Sequence, residues 1–518
     1  MQILTHRVST NLGPVGRGSG RAAVGTGSTR LAGRLALPGS WTARSRLGPK
    51  LLLLILCWIS PAWGLAVVPD GTPPRPNLIW LMADDLGYAE LGGYGQQVIR
   101  TPCLDRMARE GLRFTQFYAG ATVCAPSRSV LMTGQHHGHT RVRGNAGQQN
   151  PQAQALRAGD RTVARLLKDA GYTTALVGKW GLGDVGPADS GLPRRQGFDH
   201  FFGYLNQRHA HNHFPDFLWR DEERVLLPNV VTRVGDDGAG YAADGLLYAD
   251  DLFADEALKF IANHQDRPFF LYWCPVIPHA NNERNRDLKD GAHVPDYGPY
   301  ATKDWPVQDK GHAAMISRLD SYVGRLLDQL ERLGLADRTL VIFTSDNGPH
   351  NESSHHLARF QPSGPFSGIK RSLTDGGIRV PAIAWWPGHV TPGTTSGHVA
   401  YFGDWLATAA ELAGVAAPSG LDSLSFAPTL LGRPADQARH DFLYWEFHEG
   451  GFQQAALYQG RWKGLRRGAP DAPVRVFDLE ADPAEKTDVA GGQPEMASRL
   501  DAYLRTARSD SPDWPARW

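Results

Sequence analysis

The feature that most restricts this chain is a set of short, wholly apolar runs that break off at charged or polar residues. Leu78-Ile79-Trp80-Leu81-Met82 runs into Asp84-Asp85. Comparable runs at 174–177, 269–273 and 340–344 are followed by Lys179, by His279 and by Asp346-Asn347. An apolar run without polar alternation reads as a strand buried on both faces. Between the last two runs, Ile316, Leu319, Val323, Leu326, Leu330 and Leu333 recur at helical spacing, and 162–170 reads as another helix. Strands alternating with helices predict an α/β domain with a largely parallel central sheet. Open sheets of this kind carry their sites at the carboxyl ends of the strands. The polar strand ends are therefore expected to meet along one edge.

Beyond about residue 390 the pattern changes. Segments 442–447 and 474–479 read as short strands between Gly- and Pro-containing turns, with a helix at 494–507. That predicts a smaller, mostly antiparallel sheet module. The opposite end is a leader. Residues 1–69 carry eight basic side chains and no acidic one, and the nine apolar residues at 51–59 follow Lys50 directly. Such a run is too short to span a membrane and suits the core of a secretory signal. Small residues near 64–66 offer a cleavage site, so the mature protein is expected to be secreted or periplasmic, with no stable membrane span. The predicted organisation is a basic leader and signal peptide at 1–66, a catalytic α/β domain at 75–390, and an α+β subdomain at 391–518.

Charge and cysteine content exclude other classes. The chain has 54 Lys+Arg against 53 Asp+Glu, and without the leader 46 basic side chains face 53 acidic ones. A nucleic-acid-coating protein is not expected from that balance. Four cysteines are too few for a disulfide framework. Removal of the leader takes Cys57 with it and leaves an odd number of thiols.

One of the remaining thiols opens the run Cys124-Ala125-Pro126-Ser127-Arg128, followed by Leu131-Met132-Thr133-Gly134. This run resembles the signature of the type I, formylglycine-dependent sulfatase family. The resemblance extends in order through Pro76-Asn77-Leu78-Ile79 with Asp84-Asp85-Leu86-Gly87, then Thr101-Pro102 and Gly111-Leu112-Arg113-Phe114. It continues through Gly171-Tyr172-Thr173-Thr174 to Gly178-Lys179-Trp180, Pro278-His279, Ser345-Asp346-Asn347-Gly348 and Gly368-Ile369-Lys370. Gly376-Gly377-Ile378-Arg379-Val380-Pro381 and Phe477-Asp478-Leu479 complete it. The arylsulfatase- and N-acetylgalactosamine-sulfatase-like members are the most similar in pattern. The fold implied is an alkaline-phosphatase-like sandwich with a mostly parallel central sheet, plus a smaller C-terminal antiparallel sheet module.

The resemblance also implies a chemistry. A maturation enzyme, the formylglycine-generating enzyme, would oxidise Cys124 to formylglycine (3-oxoalanine), whose hydrate attacks sulfur. The second hydroxyl then expels sulfate, a release route that a plain thiol or serine lacks. Arg128 would hold the hydrate, and Lys179 and Lys370 would contact sulfate oxygens. His279 would bind sulfate or protonate the leaving oxygen. Asp84, Asp85, Asp346 and Asn347, together with the converted Cys124, would hold a metal. Their donors are all oxygens, which suits a hard cation, Ca2+ with Mg2+ as the alternative.

One position departs from the family. Its second signature commonly continues Lys-Trp-His, whereas this chain reads Lys179-Trp180-Gly181. The cluster His209-Ala210-His211-Asn212-His213 offers a replacement, of which His211 is the candidate, and His350, His355 and His356 could also line the pocket. The expected substrate is a sulfated small molecule or glycan. Two other readings stand beside it: a phosphonate monoester or phosphodiester hydrolase of the same superfold, and an inactive sulfoglycan-binding protein, motivated by Gly181.

Overall fold

Residues whose two faces are both apolar have only one stable location, the middle of a layered structure. In the computed structural model, which describes residues 75–146, 150–184 and 190–518, the apolar runs occupy that place. The predicted leader lies outside the described residues.

The large sheet is built from β1 (Asn77–Ala83), β2 (Leu112–Phe114), β3 (Thr173–Lys179), β4 (His200–Tyr204), β5 (Phe217–Arg220), β6 (Glu223–Leu226), β7 (Phe269–Cys274), β8 (Thr339–Ser345), β9 (Ala382–Trp385) and β10 (Thr394–Ser396). Their order in space is β10-β2-β9-β8-β1-β7-β3-β4-β5-β6. The central strands β8, β1, β7, β3 and β4 are parallel. Antiparallel pairing begins at β9 on one side and β5 on the other.

Helices α1 (Pro102–Glu110), α2 (Cys124–Thr133), α3 (Val163–Asp169), α4 (Ala249–Asn263), α5 (Val307–Arg332) and α6 (Asp404–Leu412) cover the two faces. The pleat of β1 divides them. Leu78, Trp80 and Met82 pack with Val130, Leu131, Leu167 and Trp405, from α2, α3 and α6. Ile79, Leu81 and Ala83 pack with Leu104, Phe253 and Leu319, from α1, α4 and α5. The result is a three-layered α/β/α sandwich. No described helix is long and apolar enough to cross a membrane.

A second, antiparallel sheet follows in the order β11 (Phe442–Phe447), β12 (Gln453–Tyr458), β13 (Trp462–Arg467) and β14 (Arg475–Asp478). Leu443, Trp445, Leu457, Leu465 and Phe477 join the apolar cluster that contains Trp80. The other face, with Tyr444, Ala456 and Val476, packs on Leu500 and Leu504 of α7 (Pro494–Thr506). Lys463 of β13 reaches across to Asp375 at 2.8 Å. The small sheet thus buttresses the loop that carries Lys370.

Three neighbouring strands approach closely just before Lys179. Gly178 is paired with Cys274 on one side and Gly203 on the other. A Cβ at Gly178 would lie 2.0 Å from the Cys274 carbonyl oxygen, and φ there is +109°. Gly178→Ala is therefore expected to cost about 3 kcal/mol, because both sterics and backbone oppose it. Urea denaturation checks this, and a variant within about 0.5 kcal/mol of the wild type would contradict it.

Candidate active site

Register explains why two distant acidic pairs meet. β1 and β8 are hydrogen-bonded neighbours with Ala83 opposite Ser345. The residues that follow, Asp84-Asp85 and Asp346-Asn347, therefore emerge side by side. Asp85 turns with φ +66°, a left-handed conformation that aspartate tolerates better than most residues. Its backbone N–H donates to Asp346 Oδ1 at 3.1 Å, and Asn347 Nδ2 donates to Asp85 Oδ1 at 2.7 Å.

Three cations close on these acids. Lys179, at the end of β3, donates to Asp84 Oδ2. Lys370, from the loop before β9, donates to Asp85 Oδ2 at 2.7 Å. Arg128, on α2, donates to Asp346 Oδ2 from Nη2 at 2.8 Å and from Nε at 3.2 Å. A further Nη1 bond of 2.7 Å to the Lys179 carbonyl fixes the guanidinium. All six groups are buried. Their charges cancel pairwise, so a bound divalent cation would leave an excess of positive charge for an anionic ester.

Cys124 opens α2, every residue of which is buried. One ligand-type atom from each of Asp84, Asp85, Cys124 and His279 lies within 4.8 Å of all the others. Helix N-termini favour anions, so the thiol position is a suitable place for a sulfuryl group. Burial pushes the Cys124 thiol up to about 12, despite the opposing pull of Lys179.

His279 follows β7. Its Nδ1 lies 2.7 Å from the Ala280 carbonyl oxygen and its Nε2 lies 3.1 Å from Lys370 Nζ. Burial, and then the Lys370 and Lys179 charges, hold its pKa well below the usual histidine value. Lys370 is held well above the usual lysine value by Asp85 and Glu352, which outweigh burial. Asp84 is drawn below the usual carboxylate value because Lys179 and Arg128 outweigh burial. Asp346 is pushed up to about 7 by burial and then by repulsion from Asp84.

The structure brings together all of the sequence-predicted site residues. Asp84, Asp85, Cys124, Arg128, Lys179, His279, Asp346, Asn347 and Lys370 form the cluster, and His211 stacks on His279 with ring centroids 4.9 Å apart. The other histidines divide. His350 approaches His279 with centroids 6.0 Å apart. His355 instead stacks on His312, and His356 bonds to Asp309. His209 packs against Tyr204 and Phe217, away from the cluster. Sequence reasoning missed Glu352, which accepts from Lys370 at 2.9 Å, and Glu283, which lies 3.0 Å from His211 Nδ1. Both are single acids in polar segments, and nothing in the local sequence marks them.

The residues fit a hard cation. Asp84 Oδ1 and Asn347 Oδ1 are buried without a hydrogen-bond partner, an expensive condition for polar oxygens. They sit among carboxylates and supply only oxygen donors, as Ca2+ or Mg2+ requires.

Comparison with known proteins agrees with this geometry. The family described as Sulfatase matches residues 76–415, and the one described as N-sulphoglucosamine sulphohydrolase, C-terminal, matches 367–509. Arylsulfatase A of Homo sapiens is 33% identical over 491 residues, covering 87% of this chain and 89% of that protein. N-acetylgalactosamine-6-sulfatase of Homo sapiens is 34% identical over 477 residues, covering 83% and 84%. Among solved structures, Ps i-CgsB in complex with k-i-k-neocarrahexaose superposes with a TM-score of 0.68 at 26% identity, covering 82% of this chain and 91% of that one. The buried array around Cys124 is thus found in a chain that belongs to the sulfatase family, and the protein is a sulfuric ester hydrolase of the arylsulfatase type.

Proposed function

We propose that the protein is an exported sulfatase that cleaves sulfate monoesters of aryl or saccharide alcohols through a formylglycine made from Cys124. The observation that carries this reading is the position of Cys124. It opens a buried helix within 4.8 Å of Asp84, Asp85 and His279, in a cluster lined by Arg128, Lys179 and Lys370. The unmodified thiol is a poor nucleophile there, since burial holds it protonated. An oxygen at the same position would face the same cations.

In this reading Lys179, Lys370 and His279 bind the sulfate oxygens and orient sulfur toward position 124. Arg128 hydrogen-bonds the attacking group and pairs with Asp346. Asp84, Asp85, Asp346 and Asn347, with the converted residue 124, would hold Ca2+ or Mg2+, which when bound polarises a sulfate oxygen. Glu352 anchors Lys370 from outside, and Arg371 in turn bonds Glu352 and Glu449. The basic leader and apolar run support export, which would bring the chain to a formylglycine-generating enzyme in the secretory route.

The test is sulfate release by protein co-expressed with that enzyme, with aryl sulfates, sulfated saccharides and a phosphodiester as substrates. Turnover of the phosphodiester well above that of every sulfate ester would overturn the reading. The metal is tested separately. Ca2+ added to chelator-treated protein at about a hundred times its Kd is expected to stabilise it by about 2.7 kcal/mol in thermal denaturation. Equal and negligible shifts with Ca2+ and Mg2+ would remove the cation from the site.

A further inference from the structure

Three histidines that the sulfatase reading does not use meet in one place. His312 stands on α5, and His350 and His355 lie in the loop that follows β8. One ring nitrogen from each lies within 4.8 Å of the other two. All three side chains are buried, and Phe360 packs against His312 and His355.

The hydrogen bonds show which nitrogens are left for another partner. His312 Nε2 lies 2.6 Å from Glu90 Oε1, and a carboxylate can only accept, so Nε2 bears the hydrogen. His355 Nδ1 bonds the Ser353 hydroxyl. The opposite nitrogens, His312 Nδ1 and His355 Nε2, are buried with no hydrogen-bond partner among the described residues. A buried polar atom without a partner is expensive, and here two occur on rings stacked 3.8 Å apart. His350 is held at both nitrogens, Nε2 by the Pro278 carbonyl at 2.9 Å and Nδ1 by the Glu352 N–H at 3.0 Å.

A metal-binding histidine has one nitrogen fixed by an outer partner and the other turned to the ion. His312 with Glu90, and His355 with Ser353, are built in that way. Imidazole donors suit a borderline transition ion, whereas Ca2+ and Mg2+ prefer oxygen. Burial, and then His312, hold His355 below the usual histidine value, so its ring is neutral. His136, His139 and Asp422 form another group of similar donors. There His139 Nδ1 lies 2.9 Å from Asp422 Oδ2 and His136 Nδ1 accepts from the Gly138 N–H. Neither of those two rings holds a buried nitrogen without a partner.

We propose that His312, His350 and His355 form a binding site for one Zn2+ ion, with Glu90 as the positioning residue that holds His312. His312 and His355 supply the unpartnered nitrogens, and His350 exchanges one of its hydrogen bonds for the ion. An imidazole lone pair lies in the plane of its ring, so one ring of the stack turns about its Cβ–Cγ bond to face the metal. The ion ties α5 to the loop that carries Glu352, the anchor of Lys370. This site is read by binding rather than by turnover, so its failure and that of the sulfatase reading are separate results.

The test is calorimetric titration of Zn2+ into the full chain, freed of metal by a chelator and then kept saturated with Ca2+. Wild type is expected to take up one Zn2+ with micromolar or tighter affinity. His355→Phe keeps the ring stack but lacks the nitrogens, and should weaken Zn2+ by more than about 100-fold. Glu90→Gln should weaken it by about 10- to 100-fold, the usual effect of an outer partner. His139→Asn should bind as wild type does. Should His355→Phe fail to fold, Co2+ bound to wild type still reports, through a visible spectrum without a sulfur charge-transfer band. No uptake by wild type, equal affinity in His355→Phe, loss of uptake in His139→Asn, or a sulfur band from Co2+ would each overturn the proposal.

Discussion

Cys124→Ala protein is expected to fold, to bind Ca2+ and to release no sulfate, with kcat/KM reduced by more than about 10⁴-fold, or about 5.5 kcal/mol. The size of the effect follows from what stays behind. Arg128, Lys179, Lys370 and the acidic pairs still attract the ester, but no group at the start of α2 can attack sulfur. Protein produced without maturation should be nearly as silent. With the thiol pushed up to about 12, only about one molecule in 10⁵ carries a thiolate at neutral pH. The measurement is sulfate release beside intact-protein mass spectrometry, so that activity is scaled to the converted fraction. Unconverted protein that works as well as converted protein would remove formylglycine from the mechanism. Loss of stability should be slight, because a small buried side chain is exchanged for another of similar size.

Arg128→Met is expected to fail in a different way, by unfolding. The guanidinium is fully buried, bonds Asp346 through two nitrogens and lies 3.6 Å from Asp84. Its removal leaves buried Asp346 without its cation partner, which costs about 3–5 kcal/mol. For a chain of this size the fall in Tm should be about 3–5 °C. Saturating Ca2+ should recover part of it by supplying positive charge to the same acids. Arg128→Lys should not substitute well, since a point charge cannot make the two-pronged contact. Differential scanning calorimetry with and without Ca2+ checks both statements. An Arg128→Met variant as stable as the wild type would show that the buried ion network contributes little.

The parallel centre of the fold was legible because its strands are buried on both faces, and 77–83, 269–274 and 339–345 have no alternative as apolar runs. The edge of the sheet was not. Glu223–Leu226 is mostly exposed and Thr394–Ser396 is three residues long, so neither leaves an apolar trace. The acidic pairs and Lys179 were readable as the polar ends of strands, and the strand register then explains their convergence. Glu283 and Glu352 were not, because each matters only through a partner brought up by folding, His211 in one case and Lys370 in the other. Gly181 was readable as a gap. What fills it is Gln207, whose side-chain amide lies where a Cβ at position 181 would go.

The burial of the whole Cys124–Thr133 helix sets an order of events in time. Cys124 is 3% exposed, Ser127 and Arg128 are fully covered, and Ser127 is tied to Gly120 and Asp346. On the proposed reading, an enzyme that converts Cys124 could not reach it once α2 has docked on the sheet. Conversion would then compete with folding, in the interval between emergence of residue 128 and arrival of β8, more than two hundred residues later. A slow-folding variant would be better matured, and a folded, unconverted molecule would stay inactive for as long as it remained folded.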